Sequence, residues 1–176
     1  MKRAAAATAA TRLRVGITLL ALTGAALALV ANRANAKEVD EASRNRSLVA
    51  RGFDAWRDGT GSPYDLLDQG VAWTINGHSI AAKTYPTKED FMREVIRPFN
   101  ARMRTRLIPS VRKLYAEGDT VIALFDASGT ARDGQAYANS YAWFLTMKGG
   151  RIIKADAFFD SIAFDDFWRR VSPAVD

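Results

Sequence analysis

The sequence contains no cysteine and a single histidine, His78, among its 176 residues. Without cysteine, neither a disulfide framework nor a thiolate metal site can form. One histidine excludes a multi-histidine metal centre within one chain, so we predict no metal site. A serine triad would need His78 as its base, and no nucleophile-elbow pattern supports one. These absences direct attention to carboxylates, amides and aromatic side chains.

The first 36 residues have the three parts of a secretory signal peptide. Lys2, Arg3 and two further arginines precede an apolar run over 15–31, and Ala34-Asn35-Ala36 forms an A-x-A cleavage pattern. We predict a signal peptide over 1–36, a mature domain over 37–176, and a periplasmic or secreted location. An uncleaved membrane anchor is the alternative, although the run is short and rich in alanine and glycine for a span. After cleavage we expect no stable membrane span.

The net charge of +6 is concentrated in this segment. Residues 1–36 hold five of the 25 basic residues and none of the 19 acidic ones, which leaves the remaining chain with 20 basic and 19 acidic residues, a net charge of +1. We therefore expect no nucleic acid partner. One basic stretch remains between Arg93 and Lys113, and charge runs of this kind are usually solvated faces.

The stretch from Arg132 to Asp160 predicts two long antiparallel strands. Gly149-Gly150 suits a type I′ turn, because both positions need positive φ. The simplest register then places Trp143 opposite Asp156, Tyr141 opposite Phe158, and Asn139 opposite Asp160. Strand side chains alternate between faces, so the large residues share one face and the small ones the other. The large face has Tyr137, Asn139, Tyr141, Trp143 and Leu145; the small face has Ala136, Ala138, Ser140 and Ala142.

Helical patterns dominate the first half of the mature chain and strand patterns the second. Glu38 to Asp58 is an amphipathic helix pattern, and a second helix follows the cap at Thr87 with a kink expected near Arg97, before Pro98. Residues 78–86 are predicted to be a loop. This order predicts an α+β fold in which a curved antiparallel β-sheet wraps around N-terminal helices, giving a cone with an internal pocket.

Several of these segments, in this order, resemble the SnoaL-like branch of the nuclear transport factor two-like superfamily, which includes ketosteroid isomerase and limonene-epoxide hydrolase. The resemblance covers roughly residues 44–172. It implies a pocket between sheet and helices and a homodimer formed through the sheet, for which the small face of the hairpin is suited. It rests on Phe53-Asp54-Ala55-Trp56, Val71 to Ile75, Glu117 to Val121, Ala131 to Gly134, the hairpin residues, and Phe158-Phe159-Asp160.

The resemblance implies that Asp160 is a general base, since it matches the aspartate of a Tyr-Phe-Asp run in the hydrolase. Burial among Phe158, Tyr141 and Trp73 would raise the pKa of Asp160 towards neutrality. The structural alternative is that Asp160 caps the last helix or pairs with an arginine. Other catalytic positions of the superfamily are incomplete here, because the isomerase's base would fall near Trp73 or Thr74.

The leading hypothesis is an exported protein that binds a small, largely apolar molecule in the pocket. If it is an enzyme, it is a cofactor-free isomerase, cyclase or hydrolase, with Asp160 as base and Tyr137, Asn139 and Tyr141 as orienting groups. The alternative is a non-catalytic ligand-binding or dimerisation module of the cell envelope. The predicted ligand-binding residues are Trp73, Tyr137, Asn139, Tyr141, Trp143 and Phe158.

Overall fold

The structure is a computed structural model that describes residues 36–174. The chain divides into two units, Met1–Asp40 and Glu41–Asp176, and only residues 36–40 of the first are described. The predicted signal peptide therefore lies, apart from Ala36, outside the described residues, and it stays a prediction. No helix within residues 36–174 has the length and hydropathy that a membrane crossing requires.

Three helical stretches and one six-stranded sheet make up the fold, which confirms the predicted α+β class with a curved sheet. Helix α1 covers residues 36–58 and is followed by a 3₁₀ turn, Pro63–Leu66. Helix α2 consists of Lys88–Phe91, Met92–Ile96 and Arg97–Asn100, and α3 is Ser161–Arg170. The strands are β1 (Leu67–Ile75), β2 (Thr84–Tyr85), β3 (Ile108–Glu117), β4 (Thr120–Thr130), β5 (Ala136–Lys148) and β6 (Arg151–Phe159).

The strand order in the sheet is β2-β1-β6-β5-β4-β3. Strands β3 to β6 form the expected antiparallel meander, whereas β1 pairs in parallel with β6, so the sheet is mixed. Short strand β2 lies within the predicted loop over 78–86 and pairs with β1. Two residues carry too little periodicity to be recognised in a sequence.

Helix α2 does not break at Pro98. The preceding segment, Met92–Ile96, is a π-helix, and the N–H of Arg97 donates to the carbonyl of Met92, five residues back. Because Pro98 has no N–H and its ring crowds the preceding turn, the helix widens by one residue and then continues. The sequence therefore predicted the position of the irregularity correctly, but the helix is widened into a π-helical turn there and not kinked.

The hairpin begins as predicted and then changes register. Gly149 (φ 57°) and Gly150 (φ 77°) form the turn, and Lys148 pairs with Arg151. A β-bulge then leaves Ile153 unpaired, so Trp143 faces Ala157 and Tyr141 faces Phe159. The predicted pairs with Asp156 and Phe158 are wrong by one residue, because an extra residue in one strand moves everything beyond it to the other face.

The core lies between the concave face of the sheet, α1 and α2. Val49 and Phe53 of α1 pack there with Phe125 of β4 and Leu145 of β5, all 2% exposed or less. On β5, burial alternates as predicted: Tyr137, Asn139, Trp143 and Leu145 point inward, and the small side chains Ala136, Ala138 and Ser140 point outward. Aromatic side chains occupy much of the space that the curved sheet encloses.

Candidate functional site

An apolar cavity of about 50 Å³ lies between the concave face of the sheet and helix α2. A cavity needs roughly 10–15 Å³ to hold one water, and an engineered apolar cavity of about 150 Å³ binds benzene, so this one is small. No charged side chain lines it. The lining residues are Trp56, Tyr64, Trp73, Ile75, Phe91, Val95, Ile96, Phe99, Leu107, Tyr141, Trp143, Ala157, Phe159 and Phe164.

Packed rings fill the base of this cavity. Trp73 stacks on Phe91 with ring centroids 4.3 Å apart and meets Trp143 edge-on at 5.1 Å. Trp56 stacks on Trp143 at 6.2 Å. Offset-stacked and edge-to-face pairs stabilise such clusters by about 0.5–1.5 kcal/mol each beyond area burial. The rings therefore form a well-packed wall of the cavity.

A wider cleft of about 500 Å³ adjoins the cavity. The cavity and the cleft share Trp56, Tyr64, Ile96, Phe99 and Leu107 among their lining residues, so we treat the cleft as the mouth of the cavity. Besides the tyrosines, polar side chains line only the mouth. They are Ser62, Asn100, Arg104, Thr105 and Arg106.

A chain of hydrogen bonds connects the end of β6 to the cavity. The side-chain amide of Asn139 donates to the carbonyl of Asp160 (3.0 Å) and to the hydroxyl of Tyr137 (3.1 Å), and its oxygen accepts from the N–H of Asp160 (2.9 Å). The hydroxyl oxygens of Tyr137 and Tyr141 are 3.0 Å apart. Tyr141 lines the cavity, whereas Tyr137 and Asn139 lie behind it.

The phenols of this region stay neutral well above neutral pH. Burial raises the pKa of Tyr64, and the neighbouring Tyr137 raises it further. Burial also raises the pKa of Tyr141 well above its usual range, with added contributions from Tyr137 and Tyr64. These mutual effects place the three hydroxyls in one neighbourhood. Since a phenol in such surroundings keeps its proton, the polar groups of the cavity are neutral hydrogen-bonding groups.

No protein-family model and no curated protein matches the sequence. Solved structures do match. Bal32a from a soil-derived mobile gene cassette superposes with a TM-score of 0.60 at 23% identity, covering 73% of this chain and 99% of its own. An NTF2-like protein from Burkholderia thailandensis gives 0.56 at 23% identity, covering 68% of this chain and 93% of its own. A proposed SnoaL-like polyketide cyclase from Jannaschia sp. CCS1 gives 0.56 at 19%, covering 70% and 90%.

This is the nuclear transport factor two-like fold. These structural matches agree with the resemblance found in the sequence. At 19–23% identity they establish the fold alone. What this chain does has to be argued from its own cavity.

Asp160 does not face that cavity. Its side chain is exposed, and Oδ1 accepts from the backbone N–H groups of Ile162 (2.9 Å) and Ala163 (3.2 Å), so it caps the N-terminus of α3. The predicted burial among Phe158, Tyr141 and Trp73 is wrong. The chain leaves β6 at Phe159 and turns into α3, and the orphan N–H groups of that helix take the carboxylate.

Phe158 also lies elsewhere. It is 45% exposed on the outer face of the sheet, with its ring 5.9 Å from that of Phe144. Its predicted contact with a pocket ligand is wrong because of the bulge at Ile153, which sends Phe159 inward in its place. Trp73, Tyr141 and Trp143 do line the cavity, as predicted.

Sequence reasoning missed much of the cavity wall. Tyr64 is not among the predicted ligand-binding residues, and its half-buried ring lines both the cavity and the mouth. Arg104 and Arg106 belong to the basic stretch that was interpreted as a solvated face. No local signal in that stretch marks these two arginines as lining a cleft, because their position depends on the path that residues 101–107 take between α2 and β3. Among residues 36–174, no group of three His, Asp or Glu side chains could hold a metal ion.

Proposed function

We propose that this chain binds a small, largely apolar molecule whose body lies in the cleft and whose apolar end reaches the aromatic cavity. The observation that carries the proposal is the lining itself: aromatic and aliphatic side chains without a charge, continuous with a wider mouth. Ligand sites are typically concave, mostly apolar and provided with a few convergent polar groups, and this cavity has that character.

The hydrogen-bond chain gives the cavity one directed polar group. Tyr137 is 2% exposed, and its hydroxyl oxygen accepts from Asn139. A buried hydroxyl must also place its own proton, and the acceptor within reach is the oxygen of Tyr141. If Tyr137 donates to Tyr141, the O–H of Tyr141 is free to donate to a ligand. We infer that the ligand presents a hydrogen-bond acceptor, such as a carbonyl oxygen, at Tyr141.

Binding without catalysis is the form of the proposal that the geometry favours. Neither the cavity nor its mouth is lined by an aspartate, a glutamate or His78. A general base must come within hydrogen-bond reach of the proton that it removes. A cofactor-free isomerase or cyclase activity would have to use Tyr141 as a hydrogen-bond donor to a developing oxyanion, with a base that the ligand itself supplies.

The test is a fluorescence titration with prodan, a neutral naphthyl ketone, beside N-phenyl-1-naphthylamine, a neutral probe without a carbonyl. We expect both probes to bind, and we expect Tyr141→Phe to weaken prodan about fivefold through the loss of one hydrogen bond, with little change for the other probe. Tyr115→Phe on the outer face, 50% exposed, is the matched control and should change neither affinity.

Ile96→Trp fills the neck between the cavity and the mouth, since Ile96 lines both. It should abolish binding of both probes, while Ile162→Trp, at a position 84% exposed on α3, should not. Failure of either probe to bind the unmodified protein, or binding that Ile96→Trp leaves intact, would disprove the proposed site.

Export and homodimerisation are further parts of the proposal. The N-terminal pattern over 1–36 supports a periplasmic or secreted protein, and N-terminal sequencing of the chain recovered from the cell envelope would test cleavage after Ala36. A homodimer through the sheet is supported by the outer face, where Phe144 (39% exposed) and Phe158 (45%) are exposed beside small side chains. Sedimentation of the protein and of Phe144→Asp would test it, because a buried charge should dissociate such a dimer.

A further inference from the structure

The mouth of the cavity carries positive charge without a matching negative one. Arg104 and Arg106 are exposed, and they are the charged residues among the lining of the cavity and the cleft. Asp65 follows Tyr64 in the sequence, and it is not part of this lining. Its Oδ2 instead accepts from the backbone N–H of Ser62 (2.7 Å), where it caps the 3₁₀ turn.

Neighbouring arginines of the same basic stretch are neutralised. Arg97 forms a two-pronged pair with Glu89 at 2.7 and 2.9 Å, and Arg93 contacts Asp90 (2.8 Å) and Glu94 (2.9 Å). In residues 36–174, by contrast, neither Arg104 nor Arg106 forms an ion pair. Within one stretch of sequence, the arginines on α2 are paired and those at the mouth are not.

Backbone groups hold the side chain of Arg106 and the main chain of Arg104. Arg106 Nη1 donates to the carbonyl of Trp56 near the end of α1 (3.2 Å), and its guanidinium lies so close to Gly59 that a Cβ there would be 2.5 Å from Nη1. The N–H of Arg104 donates to the carbonyl of Thr130 (2.8 Å). A guanidinium has five N–H donors, so one bond to Trp56 leaves most of those of Arg106 for another acceptor.

We infer that the ligand is an amphipathic organic anion: an apolar body for the cleft and the cavity that it adjoins, with one carboxylate or similar acidic group held by Arg104 and Arg106 at the mouth. Arginine binds planar acidic groups through charge-assisted hydrogen bonds, which are stronger than neutral ones. The inference rests on the proposed function, since it gives the ligand of the same cavity its charge. A wholly neutral ligand would leave both positive charges without an acidic partner.

The experiment compares two fluorescent probes that share one skeleton. They are 8-anilinonaphthalene-1-sulfonate, which is anionic, and N-phenyl-1-naphthylamine, which lacks the sulfonate. We expect the Arg104→Gln/Arg106→Gln variant to weaken the anionic probe about tenfold or more and to leave the neutral probe within about twofold. Added salt should weaken the anionic probe selectively. Arg112→Gln, which removes the same charge from β3, is the control and should affect neither probe.

Each outcome decides a different question. If the anionic and neutral probes respond equally to loss of the two arginines, the inference is overturned and the apolar site stands. If neither probe binds, or if Ile96→Trp does not block them, the proposed function falls and the inference with it. If the double variant loses stability, the Arg104→Gln variant alone keeps the test decisive. Within residues 36–174 the Arg104 side chain forms no hydrogen bond, so its loss should not destabilise the fold.

Discussion

The phenols and the carboxylates of the sheet occupy opposite environments. Tyr137 and Tyr141 are on the concave face, hydrogen-bonded to each other, and burial raises the pKa of both. Asp156 lies on the other face, 2.9 Å from Lys154, and Asp126 accepts from Ser140 at 2.6 Å. The cavity therefore has neutral donors and the solvent-facing surface has the charges.

The largest expected effect on stability comes from ionising the buried tyrosines of the concave face at high pH. Burial raises the pKa of Tyr85 to about 12, and the pKa of Tyr64, Tyr137 and Tyr141 is raised as well. A phenol in an unfolded chain has a pKa of about 10. Between these values the unfolded chain has lost protons that the folded chain retains, so the free energy of unfolding falls as pH rises through this window and is unaffected below it.

We therefore expect alkaline unfolding, with tyrosinate absorbance at 295 nm and loss of the circular dichroism signal occurring together above about pH 10. The Tyr115→Phe background removes the half-exposed phenol, so the absorbance then reports the other four tyrosines. Reversible tyrosinate formation in a protein that keeps its circular dichroism would contradict the burial of these side chains.

The second largest effect on stability is expected from replacing Asn139, whose side chain connects Tyr137 to the backbone of Asp160. Asn139→Leu keeps a similar volume and removes three hydrogen bonds, leaving the N–H and carbonyl of Asp160 and the hydroxyl of Tyr137 short of partners. Unsatisfied buried groups cost about 1–3 kcal/mol each, so we expect a loss of about 3 kcal/mol in the free energy of unfolding, measured in urea.

Ser140→Ala is the matched control for Asn139→Leu. Ser140 is the next residue on β5 and points to the outer face, where its hydroxyl bonds the exposed Asp126. Its loss should cost well under about 1 kcal/mol, as is usual for surface substitutions. Equal effects at positions 139 and 140 would mean that the inner network contributes no more than a surface hydrogen bond.

The sequence contained enough to predict the fold and the inner face of β5. Alternation placed Tyr137, Asn139, Tyr141 and Trp143 on one face correctly, because a strand has a fixed period of two and the glycine pair fixed the turn. The alternation pattern did not predict the bulge at Ile153. A bulge adds one residue without a distinctive side chain, and here it exchanged Phe158 for Phe159 at the cavity.

The parts of the site that depend on tertiary placement could not be predicted from the sequence either. Tyr64, Arg104 and Arg106 reach the mouth from two connections far apart along the chain, and nothing local indicates that they meet there. The role of Asp160 was undecided between capping and catalysis, since an aspartate before a helix is compatible with both. The structure places its carboxylate on the helix N-terminus.

The smallest expected effect, at Asp160, separates capping from catalysis. A cap needs a side-chain oxygen that accepts from Ile162 and Ala163, and both aspartate and asparagine provide one. Asp160→Ala should cost about 1 kcal/mol in the free energy of unfolding, and Asp160→Asn about 0.5 kcal/mol or less. Neither should change probe affinity, because the carboxylate is outside the cavity lining.

If Asp160 were a general base, Asp160→Asn would impair the site as much as Asp160→Ala, since a base needs a titratable carboxylate and asparagine cannot replace it. Urea unfolding and prodan titration of Asp160→Ala and Asp160→Asn, side by side, therefore measure the two roles separately. A stable Asp160→Asn variant with unchanged binding places Asp160 with the surface carboxylates. An Asp160→Asn variant that is stable but has altered ligand binding would move Asp160 into the site, and the contrast between neutral interior and charged exterior would then fail at the end of β6.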